Sequence, residues 1–240
     1  MTRGERSDMA EVREYDYFGD RISWLDKLRM KSSLRIRRQI YDWFSQQIGG
    51  VSGKVFLDHG ATPDTDRIDS NCWIRWLLED GATVYATSPE EIRHLEQQFP
   101  GLTVVPFPPQ PEQFSKLDFV TSSAVIEHVG SQPEQLQYLR DLLSLGSGIL
   151  VATPNRYHWL DFHTKLPIVH WLPRRHHRTI LNILGLTFWA KEKNLRLLSQ
   201  RDLARLIWNV LLEKNTRYRV SWFQPKFLGA VSNLVVLARQ

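Results

Sequence analysis

The 240-residue sequence is poor in cysteine and in long apolar runs. Cys72 is its single cysteine, which excludes an internal disulfide framework. No stretch approaches the roughly 18 consecutive apolar residues of a membrane-spanning helix. Residues 1–20 are charged and lack the apolar segment of a secretory signal. These absences predict a reducing compartment, and we expect a cytoplasmic location.

The composition favours a folded chain with a basic surface. Nine Trp, seven Tyr and eleven Phe supply apolar area for a core, so disorder is not expected. The net charge is +5, and the basic residues concentrate at 29–38 and 174–178. Neither group lies in a recognisable nucleic-acid-binding motif. A solvated basic face is favoured over a phosphate-binding or membrane-surface role, and no specific nucleic acid is expected.

The order of apolar patterns predicts the architecture. Helical spacing over 22–48 indicates one or two amphipathic helices, so residues 1–48 are expected to form an N-terminal helical extension. Beyond it, strands and helices alternate. Strands are predicted at 54–58, 82–87, 102–105, 117–122, 148–153, 217–223 and 233–238, and helices at 71–80, 90–99, 132–145 and 198–212.

This alternation predicts an α/β fold with a Rossmann-like, seven-stranded, mostly parallel sheet and helices on both faces. The last two strands are joined by about nine residues, too few for a parallel crossover, so the last strand is expected to be antiparallel. Residues 49–240 should form this domain, with a lid-like insertion at about 155–195.

In an open α/β sheet, ligands bind beyond the carboxyl ends of the strands. The first strand ends in Asp58-His59-Gly60. Asp58 can accept hydrogen bonds from the turn or a ligand, and Gly60 allows the backbone to approach a ligand closely. An ordinary strand-to-loop turn also favours Asp and Gly, so these residues alone leave both interpretations open.

Longer strings add a resemblance. Thr62-Pro63-Asp64 with Ser70-Asn71, SSAVIEHVGS at 122–131, TPNR at 153–156 and HTKLPIVHWLP at 163–173 occur in this order. Together with Asp58 and Gly60, they make residues from about 50 to 240 resemble class I S-adenosylmethionine-dependent methyltransferases, and in particular a bacterial subgroup often associated with glycan or secondary-metabolite genes.

The resemblance implies S-adenosylmethionine as the cofactor. The residues that it assigns to cofactor binding are Asp58, His59, Gly60, Thr62, Asn71, Thr87, Ser88, Ser122 and Ser123. The sequence departs from the family where the second strand ends without the acid that usually holds the ribose. Thr87 and Ser88 can offer single hydrogen bonds there, or Glu90 or Glu91 can reach from the next segment.

Two histidines are the candidate catalytic residues. His128 follows the fourth strand and His163 lies in the insertion, and imidazole titrates near neutral pH. A structural role for His128 is the alternative. No metal is predicted, because the histidines lack compact zinc-type spacing and Ala124 stands where a further acid would help.

The insertion is expected to cover the cofactor and shape the acceptor pocket. Its candidate substrate-binding residues are Asn155, Trp159, His163, His170 and Trp171. The alternative is a peripheral helical layer whose aromatic residues are core.

Three functions remain open at the level of sequence. The first is methyl transfer to oxygen or nitrogen of a small-molecule, sugar or natural-product acceptor. The second is a non-catalytic partner or regulatory module, and the third is a nucleic-acid methyltransferase, which lacks support from a base-flipping tetrad. The N-terminal amphipathic stretch can also contact a membrane peripherally. The oligomeric state is not predicted.

Overall fold

The computed structural model describes residues 24–214 and 216–240. Nine strands occur in this part of the chain: β1 (Val55–His59), β2 (Thr83–Thr87), β3 (Leu102–Val104), β4 (Phe119–Ser123), β5 (Gly148–Pro154), β6 (Arg219–Phe223), β7 (Lys226–Phe227), β8 (Ala230–Val231) and β9 (Asn233–Arg239). Seven form one sheet in the order β3-β2-β1-β4-β5-β9-β6.

The strand directions confirm the predicted sheet. Strands β3, β2, β1, β4 and β5 are parallel, and β9 runs antiparallel to both β5 and β6. The central strands carry continuous apolar runs, as expected for strands buried on both faces. The short hairpin of β7 and β8 was not predicted, because two-residue strands leave no periodic signal.

Seven α-helices accompany the strands in the described residues: α1 (Trp24–Ile48), α2 (Cys72–Glu79), α3 (Leu95–Gln98), α4 (Gln132–Leu145), α5 (Arg174–Ile183), α6 (Thr187–Ala190) and α7 (Gln200–Leu212). Ser199 caps α7 as a capping box with Asp202. The predicted helix 90–99 is wrong in its first half, where side chains bond the backbone instead: Ser88 Oγ accepts from Glu90 N–H.

Helix α1 belongs to the core of the sheet. The Phe44 ring packs edge-to-face against Phe56 of β1 and Phe119 of β4, at centroid distances of 6.0 and 5.5 Å. Ile36 and Ile40 are buried in the same cluster. The boundary predicted at residue 48 therefore separates two segments that share one core, while residues 1–23 lie outside the described part. Helices α4 and α7 cover the opposite face.

The insertion after β5 builds its own small core. Leu181, Trp189, Ala190, Leu195 and Leu197 form a buried cluster that is separate from the two clusters of the sheet. Polar contacts add to it, as described below. None of the helices in the described ranges is long and apolar enough to cross a bilayer.

Candidate active site

The carboxyl ends of β1, β2 and β4 meet at the point where the strand order reverses. His59 of β1 lies opposite Thr87 of β2, and the N–H groups of Gly60 and Ala61 both donate to Thr87 O, at 3.0 and 3.3 Å. On the other side, Asp58 is paired with Thr121 of β4. This crevice is where open α/β sheets bind ligands, so the structure brings most of the predicted cofactor-binding residues to one edge.

Asp58 and His59, the last two residues of β1, have pKa values that burial shifts in opposite directions. Burial raises the pKa of Asp58 to about 6, although Thr121 Oγ1 donates to its Oδ1 at 3.0 Å. Burial lowers the pKa of His59 to about 4, and the His59 ring is therefore neutral at pH 7. Its Nδ1 lies 3.1 Å from the hydroxyl of Tyr138, which also bonds Ser122 Oγ at 2.8 Å.

The bend after β1 requires glycine for a reason that the sequence did not reveal. Gly60 has φ +107°, and a Cβ there would lie 2.4 Å from Cγ2 of Val125. Val125 follows Ala124, whose own φ is +59°, an uncommon value for a non-glycine residue. The bends after β1 and β4 thus pack directly against each other, and the close neighbour of Gly60 is protein.

The loop beyond the bend is braced by Asn71. This residue has φ 50°; its Oδ1 accepts from Thr62 N–H at 3.0 Å, and its Nδ2 donates to Thr62 O at 2.8 Å. Thr62 Oγ1 is buried and has no partner among the described residues. Thr87 Oγ1 donates to Pro106 O at 3.3 Å. The cofactor contacts predicted for these residues stay predictions.

His128 and His163, 35 positions apart, come together beside Glu127. Their Nε2 atoms are 3.2 Å apart. Oε1 of Glu127 lies 4.0 Å from Nε2 of His128 and 3.8 Å from Nε2 of His163. Glu127 is fully buried and its Oε2 accepts from Thr153 Oγ1 at 2.8 Å, but Oε1 has no hydrogen-bond partner within the described part of the chain. We call Glu127, His128 and His163 the Glu-His-His cluster.

The hydrogen bonds of the two Nδ1 atoms determine the protonation of the Nε2 atoms that face each other. Nδ1 of His128 lies 2.8 Å from Asn194 O, a carbonyl that only accepts, so this nitrogen carries a proton. Nδ1 of His163 lies 3.2 Å from Oδ1 of Asp161 and donates to that carboxylate. If both rings are neutral, Nε2 of His128, Nε2 of His163 and Oε1 of Glu127 face one another as acceptors, with no donor between them. The cluster therefore holds one additional proton or a cation.

The electrostatics place that proton on His163. Burial alone would lower its pKa, but the hydrogen bond and charge of Asp161 outweigh burial and raise it. Burial and the neighbouring His163 lower the pKa of His128. The same ion pair holds the pKa of Asp161 well below its usual range, against the effect of burial. The two imidazoles thus form an acid and base pair of unequal strength.

The same three donors can also hold a metal ion. One ligand atom from each residue of the Glu-His-His cluster lies within 4.8 Å of the others. Two imidazoles and a carboxylate suit Zn²⁺, Mn²⁺ or Fe²⁺, and each imidazole is oriented by a bond from its other nitrogen, as metal-binding histidines are. Sequence spacing did not indicate this set, because the fold alone brings residues 127 and 163 together.

The predicted substrate-binding residues separate into two groups. His163 joins the cluster, whereas His170 Nε2 and Trp171 Nε1 both donate to His158 O, at 2.7 and 2.9 Å. Asn155 Nδ2 donates to Val231 O at 3.0 Å. Trp159 accepts at its carbonyl from Ile168 N–H, 2.8 Å away. The bonds of Trp159, His170 and Trp171 lie within the insertion, and that of Asn155 joins it to β8. The contact of these four residues with a substrate stays a prediction.

Sequence reasoning assigned no role to three residues of the site. Glu127 stands next to His128 in the sequence, but its buried, unpartnered oxygen is visible only in the structure. Asp161 lies two residues before His163, and this short Asp-to-His spacing is the sequence signal that could have indicated their pairing. Tyr138, on α4, contacts both His59 and Ser122, and nothing in the sequence distinguishes it from core residues of that helix.

Solved structures of similar fold are methyltransferases. Magnesium protoporphyrin IX methyltransferase from Synechocystis PCC 6803 aligns with 13% identity over 99% of this chain and 95% of that chain, with a TM-score of 0.59. The chain has the class I methyltransferase fold.

Two further structures extend this comparison. A SAM-dependent methyltransferase from Archaeoglobus fulgidus matches with 14% identity over 85% of this chain and 94% of that chain, at a TM-score of 0.51. The small RNA methyltransferase HEN1 matches with 13% identity over 85% of this chain and 25% of that chain, also at 0.51. No model of a known protein family matches the sequence, nor does any curated protein sequence.

Proposed function

We propose that the protein is an S-adenosylmethionine-dependent methyltransferase that acts on oxygen or nitrogen of a small-molecule, sugar or natural-product acceptor. The observation that carries the proposal is the convergence of His128 and His163 at the carboxyl edge of β4 in a class I methyltransferase fold. Fold similarity alone suits a non-catalytic module equally well, whereas a partly buried pair of imidazoles that holds a proton at the ligand edge suits chemistry.

The residues at the strand ends fit the cofactor. The carboxylate of Asp58 can pair with a cationic ligand group, and the buried, unpartnered Thr62 Oγ1 is available as a donor or acceptor. Thr87 ends β2 and Ser88 follows it, where the ribose is expected, and these two residues stand in place of the usual acid. When bound, the cofactor supplies a methyl group on a sulfonium whose positive charge disappears during transfer.

The chain contributes positioning and proton transfer. A hydroxyl or amine acceptor loses a proton in the reaction, and Nε2 of His128, which is unprotonated while His163 holds the proton of the cluster, receives it. Glu127 and Asp161 stabilise the resulting imidazolium. Alignment of the acceptor in the crevice supplies the remaining rate enhancement, because the reaction is a direct transfer between two bound partners.

Calorimetry and labelled methyl transfer test this proposal together. S-adenosylhomocysteine should bind saturably, and radiolabelled S-adenosylmethionine should label one class of compound in fractionated small-molecule extracts. His128→Gln and His163→Gln should each lower the rate at least about 100-fold while changing the dissociation constant for S-adenosylhomocysteine less than twofold. His176→Gln, an exposed histidine of the same insertion, is the matched control.

Absence of S-adenosylhomocysteine binding at millimolar ligand would contradict the enzyme and favour the non-catalytic module. Labelling of RNA in preference to small molecules would show that the acceptor is RNA and not a small molecule. One matching structure is named for a porphyrin substrate and another for small RNA, so the acceptor has to come from this measurement.

A metal-dependent reaction is the second candidate, and the unpartnered Oε1 of Glu127 favours it. In this case a divalent ion would hold the acceptor oxygen at the Glu-His-His cluster and lower its pKa. Treatment with EDTA should then abolish activity, Mn²⁺ or Zn²⁺ should restore it, and Glu127→Gln should weaken metal binding at least tenfold. Full activity after EDTA treatment would assign the cluster to proton transfer.

A further inference from the structure

A second group of basic residues lies beside the Glu-His-His cluster. A cavity that opens to solvent lies between Arg156, which follows β5, and the insertion with the segment that leads from it to α7. The polar residues that line it are Arg156, His170, Arg174, His177, Arg178 and Arg196. Apart from His170, which is a predicted substrate-binding residue, none of them belongs to the cofactor edge or to the Glu-His-His cluster.

The cavity has more positive charge than its acidic neighbours balance. Arg174 pairs with Asp202 at 3.0 Å, and Glu192 is shared between Arg178 at 2.9 Å and Arg196 at 3.4 Å. Arg156 uses Nε and Nη2 on two backbone carbonyls, those of His170 and Leu172. Four guanidinium groups therefore face two carboxylates, which leaves an excess of two positive charges.

Two histidine nitrogens at the same cavity are buried without partners. His170 is 2% exposed, and its Nε2 donates to His158 O, so Nδ1 is left unbonded. Nε2 of His177 is likewise buried and has no partner in the described ranges. Burial and the nearby arginines lower the pKa of both rings, to about 4 for His177. Buried polar atoms usually find partners, so these two indicate a missing ligand.

We infer that this cavity binds a phosphate group of the methyl acceptor, which makes the acceptor a phosphate ester; the inference rests on the proposed methyl transfer. The charge excess matches a phosphate dianion, and the planar guanidinium fork suits its oxygens. Each unbonded histidine nitrogen can bind the same anion after taking up a proton.

Trp189 connects the cavity to the reaction site. It lines the cavity, and its ring centroid lies 5.3 Å from that of His163 and 6.1 Å from that of His128. Arg196 gives a second connection, because its backbone N–H donates to Glu127 O at 2.7 Å. An acceptor anchored here by phosphate would extend past one indole ring to reach the imidazoles.

Inorganic phosphate is the probe for a direct test on the full chain. Calorimetry at low ionic strength should give saturable binding with a dissociation constant below about 1 mM. Arg156→Gln should raise that constant at least tenfold, whereas Arg175→Gln, an exposed arginine on α5 outside the cavity, should leave it within twofold. If Arg156→Gln fails to fold after losing two backbone hydrogen bonds, Arg178→Gln serves as the second variant.

Nitrogen NMR of the histidine rings gives a readout that a merely structural role would not move. Phosphate should shift Nδ1 of His170 and Nε2 of His177, and should leave His94, an exposed ring elsewhere, unchanged. Glucose 1-phosphate and uridine monophosphate should bind at least as tightly as phosphate, and the tighter ligand identifies a sugar phosphate or a nucleotide as the source.

No saturable phosphate binding at 10 mM would overturn the inference, as would equal binding by the Arg156→Gln and Arg175→Gln proteins. Tight binding of an RNA oligonucleotide without binding of the small phosphates would overturn it too. S-adenosylhomocysteine is titrated separately, so loss of phosphate binding with intact S-adenosylhomocysteine binding rejects this inference alone.

Discussion

The two sides of the candidate site are held in different ways. On the strand side, Asp58 and Gly60 end a strand that is buried between two large apolar clusters. On the insertion side, at about residues 155–195, His163 is oriented by Asp161, which is itself held by Thr164. The insertion has only a small apolar cluster, and hydrogen bonds and ion pairs supply much of its order.

This difference has a consequence for mutation. Apolar burial is collective, so a change at the strand ends should affect the stability of the whole domain. A polar contact in the insertion is local, and its loss should loosen that segment while the sheet stays folded. Each of the following measurements compares the two sides.

The largest effect is expected for Gly60→Ala. The substitution meets both a φ of +107° and a Cβ contact of 2.4 Å with Val125, so we expect a loss of roughly 3–4 kcal/mol in the free energy of unfolding. Urea denaturation measures it. Gly53→Ala is the control, because Gly53 has φ +71° with no described atom within 4 Å of the new Cβ, and strain alone should cost about 1–2 kcal/mol.

The double variant with Val125→Ala should recover part of the loss at Gly60. Equal costs at Gly53 and Gly60 would show that the contact between the bends after β1 and β4 does not matter.

Asp58→Asn is expected to stabilise the protein at pH 7. The pKa of Asp58 is raised by burial from 3.8 to about 6, so ionisation of this group lowers stability as the pH rises through that range. A shift of about two units corresponds to roughly 3 kcal/mol at pH 7. The difference from the wild type should disappear below about pH 3, where Asp58 is neutral in both the folded and the unfolded chain. S-adenosylhomocysteine binding should weaken.

Asp118→Asn is expected to change the stability at pH 7 in the opposite direction. Burial tends to raise the pKa of Asp118, but hydrogen bonds from Lys116 and from Val55 N–H outweigh it and lower the pKa. Stability from Asp118 is therefore present at neutral pH and lost on acidification, and Asp118→Asn should destabilise at pH 7. Stabilisation by both variants would contradict the assignment.

Thr164→Val tests the polar order of the insertion. Its Oγ1 donates to Oδ2 of Asp161 at 2.6 Å, and loss of this buried bond should cost about 1–2 kcal/mol. Hydrogen exchange should accelerate in residues 161–168 and stay unchanged in β1 and β4. Thr179→Val, at an exposed position on α5, is the control and should change stability by less than about 0.5 kcal/mol. Uniform acceleration across the sheet would contradict the local character.

Ser199→Ala is expected to have the smallest effect. Ser199 caps α7 where the insertion rejoins the domain, and its Oγ accepts from Asp202 N–H at 3.1 Å. Loss of the cap should cost about 1 kcal/mol in thermal unfolding. Ser144→Ala, at an exposed position near the end of α4, should be neutral. A loss of stability confined to α5 would instead show that Ser199 stabilises the insertion and not α7.

Sequence patterns were sufficient for most of the sheet, and for a physical reason. Runs such as those of β5 and β9 are buried on both faces and so are continuously apolar, and the short link before β9 excluded a parallel pairing. The helix at 90–99 failed because local side-chain bonds at Ser88 compete with the helix, and periodicity does not register such bonds.

The sequence by itself determined the α/β architecture, the strand end that carries Asp58 and Gly60, and the two histidines worth testing, because these depend on local periodicity and on short motifs. Only the tertiary structure decided that Glu127 meets both histidines, that Val125 packs on Gly60, and that four arginines border one cavity. Such meetings join residues tens of positions apart, and chain folding, not local preference, sets the distances between their atoms.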